Sequence, residues 1–223
     1  MIVFVVPIVE GHTERVALER LLQRIWLELG RPERLQVLDG VRAARSSLIH
    51  LNGVGLGVAV EKAAIQLGAC LRHNPGCRSL IIIDIDSETD CPAILGPKLV
   101  KVAVAARSDL DIACVLAKRE FENWIVAGAS TLSGVLGLPD PIPVRFDVED
   151  MKGSAWLDKQ IRSVHPNSKY KKADFALEFV KEMDIREARV NSKSFDRLCE
   201  KLNQIPLTQV PQKPETEVEI IVG

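Results

Sequence analysis

Ile2 to Val9 is a continuous, largely β-branched apolar run, as expected of a strand covered on both faces of a parallel sheet. From Thr13 the period changes to that of a helix. Ala17, Leu18, Leu21, Leu22, Ile25 and Leu29 share one face, and Gly30 with Pro32 supplies the stop. Residues 34–55 show no clear period beyond a short strand candidate at Leu35–Leu38. Leu56, Val60, Ala63, Ala64, Leu67 and Leu71 trace a second amphipathic helix, closed by His73-Asn74-Pro75-Gly76. Leu80-Ile81-Ile82-Ile83-Asp84-Ile85 has no polar face and predicts a central, doubly buried strand.

Pro92 to Ala106 reads as helix with a start broken at Pro97, Leu110 to Ala117 as strand, and Arg119 to Ala127 as helix. This alternation predicts an α/β fold: a Rossmannoid, mostly parallel central sheet flanked by helices over residues 1–128. After the turn-rich 137–143, residues 144–202 read as short helices of mixed charge, a small mainly helical C-terminal extension of the same compact unit. Residues 203–223 form a tail whose last apolar stretch, Val218–Val222, is a candidate added strand.

A chain of 223 residues with 47% hydrophobic and 26% charged side chains can bury its own core, so disulfides and structural metals are not required. Twenty-nine basic side chains against thirty acidic ones leave a formal charge of -1, so contact with nucleic acid or anionic lipid has to be local. Five scattered cysteines lack CxxC or Cys/His ligand spacing and read as reduced thiols of a cytoplasmic protein. No uncharged apolar run approaches the roughly 20 residues of a bilayer span, and the first apolar run lacks the flanks of a signal peptide, so no membrane role is expected.

Ligands of open parallel sheets bind outside the carboxyl ends of the strands. Here those ends are acidic. The first strand runs into Glu10-Gly11-His12-Thr13-Glu14, and the central one into Asp84-Ile85-Asp86, whose period-two spacing aims both carboxylates to one side. The next strand runs out at Lys118, followed by Glu120 and Glu122. Such a convergence of negative charge needs protons or a cation, and a hard divalent ion suits oxygen donors.

The ordered set Glu10-Gly11-x-Thr13-Glu14 and Asp84-x-Asp86 resembles the Toprim domain of topoisomerases, bacterial-type primases and OLD-family nucleases, closest to the OLD type. Asp84 through Pro92, Leu95-Gly96-Pro97, Lys118 through Trp124 and Asn191 through Leu198 are similar to a prokaryotic Toprim-like family of unknown function, often encoded beside ATPases. The resemblance covers 1–128 well and 145–202 more loosely. It implies a Toprim-like sheet, magnesium (or manganese) held by Glu10, Asp84 and Asp86 as catalytic residues, and phosphodiester hydrolysis of nucleic acid. An ATPase partner and a place in phage defence are implied with it. Glu14, Glu120, His12 and Lys118 are second-tier candidates. Lys169, Lys171 and Lys172 form the tight basic cluster available for phosphate contact.

Each feature also has an ordinary explanation. Glu14 and Glu120 suit the positive end of a helix, and Glu122 is expected to be merely solvated. The lysine cluster reads equally as a solvated loop, Lys118 as simple strand termination, and Trp124 and Trp156 as core rather than base-stacking residues. Gly53-Val54-Gly55-Leu56-Gly57 follows no strand and is no dinucleotide loop. Two other functions compete with the nuclease. One is a non-catalytic metal-binding or regulatory subunit of an ATPase complex. The other is a haloacid-dehalogenase-type phosphatase, disfavoured because Ser87-Glu88-Thr89 follows the acidic pair.

Overall fold

The computed structural model describes residues 1–50, 52–143 and 147–206. Its centre is a parallel sheet. Strand β1 (Ile2–Val9) pairs on one side with β2 (Arg34–Val37) along its first half and with β3 (Val41–Arg42) at its end. On the other side β1 pairs with β4 (Arg78–Asp86), and β4 pairs with β5 (Ile112–Ala117), giving the order β2-β1-β4-β5. The apolar run of β1 is explained by its two destinations. Val3, Val5 and Val9 enter one core cluster while Phe4, Val6 and Ile8 enter the other, as alternation along a doubly covered strand requires.

Helices α2 (Arg45–Leu48), α3 (Val54–His73) and α4 (Pro92–Ala106) cover the second face. By length and composition α3 is apolar enough to cross a bilayer. In the fold its stripe Leu56, Ala59, Val60, Ala63 and Leu67 lies on the sheet. Gly55 is needed at its first turn, because a Cβ there would lie 2.3 Å from the Ser47 carbonyl oxygen of α2. Of the three glycines in the GxGxG spacing, Gly55 is the one that serves a close approach of two backbones.

The first face is covered by α1 (His12–Glu28) and by the C-terminal helices. These are α5 (Glu122–Ala127), α6 (Gly153–Val164), α7 (Lys172–Glu182), α8 (Ile185–Asn191) and α9 (Lys193–Asn203). Phe179, Leu198 and Leu202 share one buried cluster with Val3, Leu18 and Ile82. Asp184 and Ser192 cap α8 and α9 through the N–H groups of Glu187 and Phe195. Trp124 is fully buried, edge-on to Phe121 and Phe195, with its indole N–H on Ser194 Oγ at 2.9 Å. It is a core residue, and so is Trp156 at 8% exposure.

Three expectations are corrected. Pro97 does not break α4, which runs unbroken across it at the cost of one hydrogen bond to the Ala93 carbonyl. The helix expected from Arg119 begins only at Glu122, because Arg119 adopts a left-handed φ of 69° and turns the chain first. The 34–55 stretch holds the strand expected near Leu35–Leu38 as β2, and in addition a second strand and a short helix, elements too short to show a period. The strand candidate Val218–Val222 lies outside the described residues.

Candidate metal centre

Because β1 and β4 are parallel neighbours, Glu10 just past one and Asp86 at the end of the other meet. The Asp86 N–H donates to Glu10 Oε1 at 3.1 Å. Asp86 Oδ1 in turn accepts from the Phe121 N–H at 2.7 Å, so the turn after β5 closes onto the same point. Asp84, two residues earlier in β4, is 5% exposed, and its Oδ1 is buried with no hydrogen-bond partner. A lone carboxylate oxygen out of water is costly unless a proton or cation answers it.

The electrostatics express that cost. Burial, reinforced by Glu14, raises the Glu10 carboxyl to about 7 against the opposing pull of Arg45. Burial raises Asp86 to about 8, with Lys172 pulling the other way and Glu14 and Glu122 adding to the rise. Asp84 is pushed well above the usual carboxylate range by burial first, then by Glu14 and Asp86.

Glu14 has its expected place at a helix start and an ion pair that the sequence did not announce. Its Oε2 accepts from the Gly11 N–H at 2.8 Å, capping α1, while Oε1 binds the ammonium of Lys172. Glu122 is not solvated, as its place in a helix first turn suggested, but 3% exposed. Its oxygens meet Lys172 Nζ at 3.1 Å and the Tyr170 hydroxyl at 3.1 Å. Lys172 is therefore not on an open loop. It starts α7, and the packing of Phe179 and Val180 into the core shared with α1 lays that helix start across the carboxyl ends of the strands.

The other candidates stand apart. Glu120 accepts from the N–H and hydroxyl of Ser154 at 2.6 and 3.1 Å, holding the start of α6. Lys118 pairs with Asp150 at 3.1 Å. His12, Lys169 and Lys171 are exposed, Lys171 being 3.9 Å from Asp174. Among the described residues no group of three His, Cys, Asp or Glu side chains stands ready to hold a metal ion. Glu10 is turned to an N–H and to Arg45, and Glu14 and Glu122 to Lys172.

Arg45 is the residue that sequence reasoning missed. From α2 it donates to the Asp86 and Ser87 carbonyls at 3.1 and 3.3 Å, lies 3.4 Å from Glu88, and pairs with Asp90. It pins the acidic loop after β4 and stands 3.9 Å from Glu10. Ala43-Ala44-Arg45-Ser46 carries no signal of this.

Residues 9–203 match the family model described as Domain of unknown function (DUF4276). The chain belongs to this family. The search of curated proteins and the search of solved structures each returned no match. The DUF4276 span takes in every residue of the cluster, from Glu10 to Lys172, together with the helices α5 to α9 that bring Glu122 and Lys172 to it.

Proposed function

We propose that this DUF4276 protein is a magnesium- or manganese-dependent phosphodiester hydrolase of Toprim type, acting on nucleic acid. The observation that carries the reading is the buried, unpartnered Oδ1 of Asp84, two residues before Asp86 and beside Glu10. Glu10, Asp84 and Asp86 fit a hard divalent cation in donor type and in being hard to ionise without one. Bound there, the ion would supply charge stabilisation to a phosphodiester under attack. In the chain without metal the Glu10 carboxyl is raised to about 7, so it gives up its proton readily near neutral pH when a cation arrives. Arg45 holds the loop 86–90 in place around it.

The near-neutral charge makes a second subunit a natural source of substrate affinity, and an ATPase is the partner proposed. The test is incubation of purified protein with DNA and RNA, with and without Mg2+ or Mn2+, beside Asp84→Asn. Metal-dependent cleavage lost in the folded variant is the expected result. Cleavage retained in Asp84→Asn overturns it.

One observation favours a second reading, a non-catalytic module. The Lys172 ammonium already answers Glu14 and Glu122 without a metal. Intact DNA and RNA at saturating magnesium, with the ATPase present, would select that reading.

A further inference from the structure

Among the described residues β5 has no strand on its outer side. The carbonyls of Asp111 and Ala117 accept from the N–H groups of Ile81 and Ser87 at 2.9 Å, so the odd-numbered positions of β5 face β4. By alternation, the N–H and C=O groups of Ile112, Cys114 and Leu116 point outward. They line a groove of about 960 Å³ between α4 and α9. Its two walls differ in kind. The α4 wall is mainly apolar, with Pro92, Ala93, Pro97, Val100 and Val104 beside Lys101; the α9 wall is basic, with Lys193, Arg197 and Lys201. An open strand edge at the bottom of such a groove is a template for another strand.

The described chain ends beside this groove. Ile205 and Pro206 line a small hollow with Ser79, Asp111 and Ile112, at the start of β5. Beyond them the sequence reads Glu215-Thr216-Glu217-Val218-Glu219-Ile220-Ile221-Val222. In an extended chain this puts Glu215, Glu217, Glu219 and Ile221 on one, mainly acidic, face and Thr216, Val218, Ile220 and Val222 on the other, mainly apolar, face. One face is acidic where one groove wall is basic, and the other is apolar where the opposite wall is apolar. The intervening residues 207–214 span up to about 26 Å, more than the roughly 20 Å of a six-residue strand such as β5.

We propose that residues 215–222 add a strand to the outer edge of β5, with Val218, Ile220 and Val222 against α4 and the glutamates against Lys193, Arg197 and Lys201. The occupant is a segment of the same chain. Hydrogen bonds to the outward groups of β5 fix its position, and the two unlike walls fix which way it faces.

The test is amide hydrogen exchange on the full chain, wild type against Val218→Pro/Ile220→Pro, with sedimentation at the same concentrations. The outward amides of Cys114 and Leu116 should exchange about 10-fold or more faster in the variant, from a monomer in both cases. Equal rates in the two chains would overturn the docking. Protection that disappears on dilution together with a dimer would assign the groove to a second copy and overturn it equally. Glu217→Lys/Glu219→Lys should also speed exchange, and adding Arg197→Glu/Lys201→Glu should restore it. Failure of that restoration would overturn the assignment of faces.

Discussion

The ammonium of Lys172 stands 3.1 Å from Oε2 of Glu122, a carboxylate only 3% exposed. With Glu14 on its other side, Lys172 is the cation that the C-terminal helices bring to the acidic end of this sheet. Lys172 is accordingly held charged, the attraction of Glu122 and Glu14 outweighing its burial.

Removing that charge should cost more than removing an exposed lysine. Lys172→Met leaves Glu14 and Glu122 facing each other at low exposure, with an expected loss of about 2–4 kcal/mol after allowing for the partial exposure of the lysine. Urea denaturation at pH 7 measures it. Lys172→Met/Glu122→Gln should recover a large part of the loss, because the buried negative charge goes with the cation.

Asp84 should behave in the opposite way. Asp84→Asn replaces a buried carboxyl lacking a partner on Oδ1 with a neutral group of the same shape. Stability at neutral pH is expected within about 1 kcal/mol of wild type, or above it. Calorimetric titration of Mg2+ and Mn2+ should then show heat of binding in wild type and none in the variant. A stable variant that binds metal as wild type does would remove Asp84 from the centre.

The raised carboxyls set a direction for pH. Glu10 and Asp86 titrate at about 7 and about 8 in the fold against ordinary values of 4.5 and 3.8, so between about pH 4 and pH 8 the folded chain holds more protons than the unfolded one. Their contribution to stability is therefore full below the unfolded values and is lost as pH rises through the folded ones. Thermal melts in chelator should show this decline from pH 5 to pH 8.5. Added Mg2+ should raise Tm more at pH 8.5 than at pH 6, because metal binding releases those protons.

Gly153 offers a test of the scaffold. A Cβ there would lie 2.7 Å from the Asn123 nitrogen and 2.7 Å from the Glu122 carbonyl carbon, backbone atoms that cannot turn aside. Gly153→Ala should destabilise by about 1–3 kcal/mol. It should also disturb the neighbouring Glu122, seen as a smaller effect of Lys172→Met in the Gly153→Ala background than in wild type.

The parts of the fold legible in the sequence are those with long, unmixed periods. β1, α1, α3 and β4 each bury a full stripe or both faces, and hydrophobic spacing records that directly. β2, β3 and α2 are two to four residues long, too short for any period, and Arg45 was lost with them. Glu10, Asp84 and Asp86 were legible because strand ends place them with no knowledge of tertiary packing. The burial of Glu122 and the position of Lys172 were not, since both depend on α7 folding back onto α1 from far along the chain. Arg119 shows a different gap, because its left-handed turn is held by Ser87 Oγ accepting the Arg119 N–H at 2.8 Å, a partner in the loop after β4.

The distance in sequence between Glu14 and Lys172 has a consequence for the order of events in synthesis. Glu10, Glu14, Asp84 and Asp86 leave the ribosome well before α7, so the emerging sheet carries four acidic groups with Arg45 beside Glu10 but without the lysine that pairs with Glu14. Ions or protons from the surroundings have to balance them until α7 arrives. A message cut short anywhere before residue 172 would yield a chain with the acids and without the lysine that pairs with Glu14, so completion of the C-terminal helices is itself what brings that counter-ion to the acidic end of the sheet.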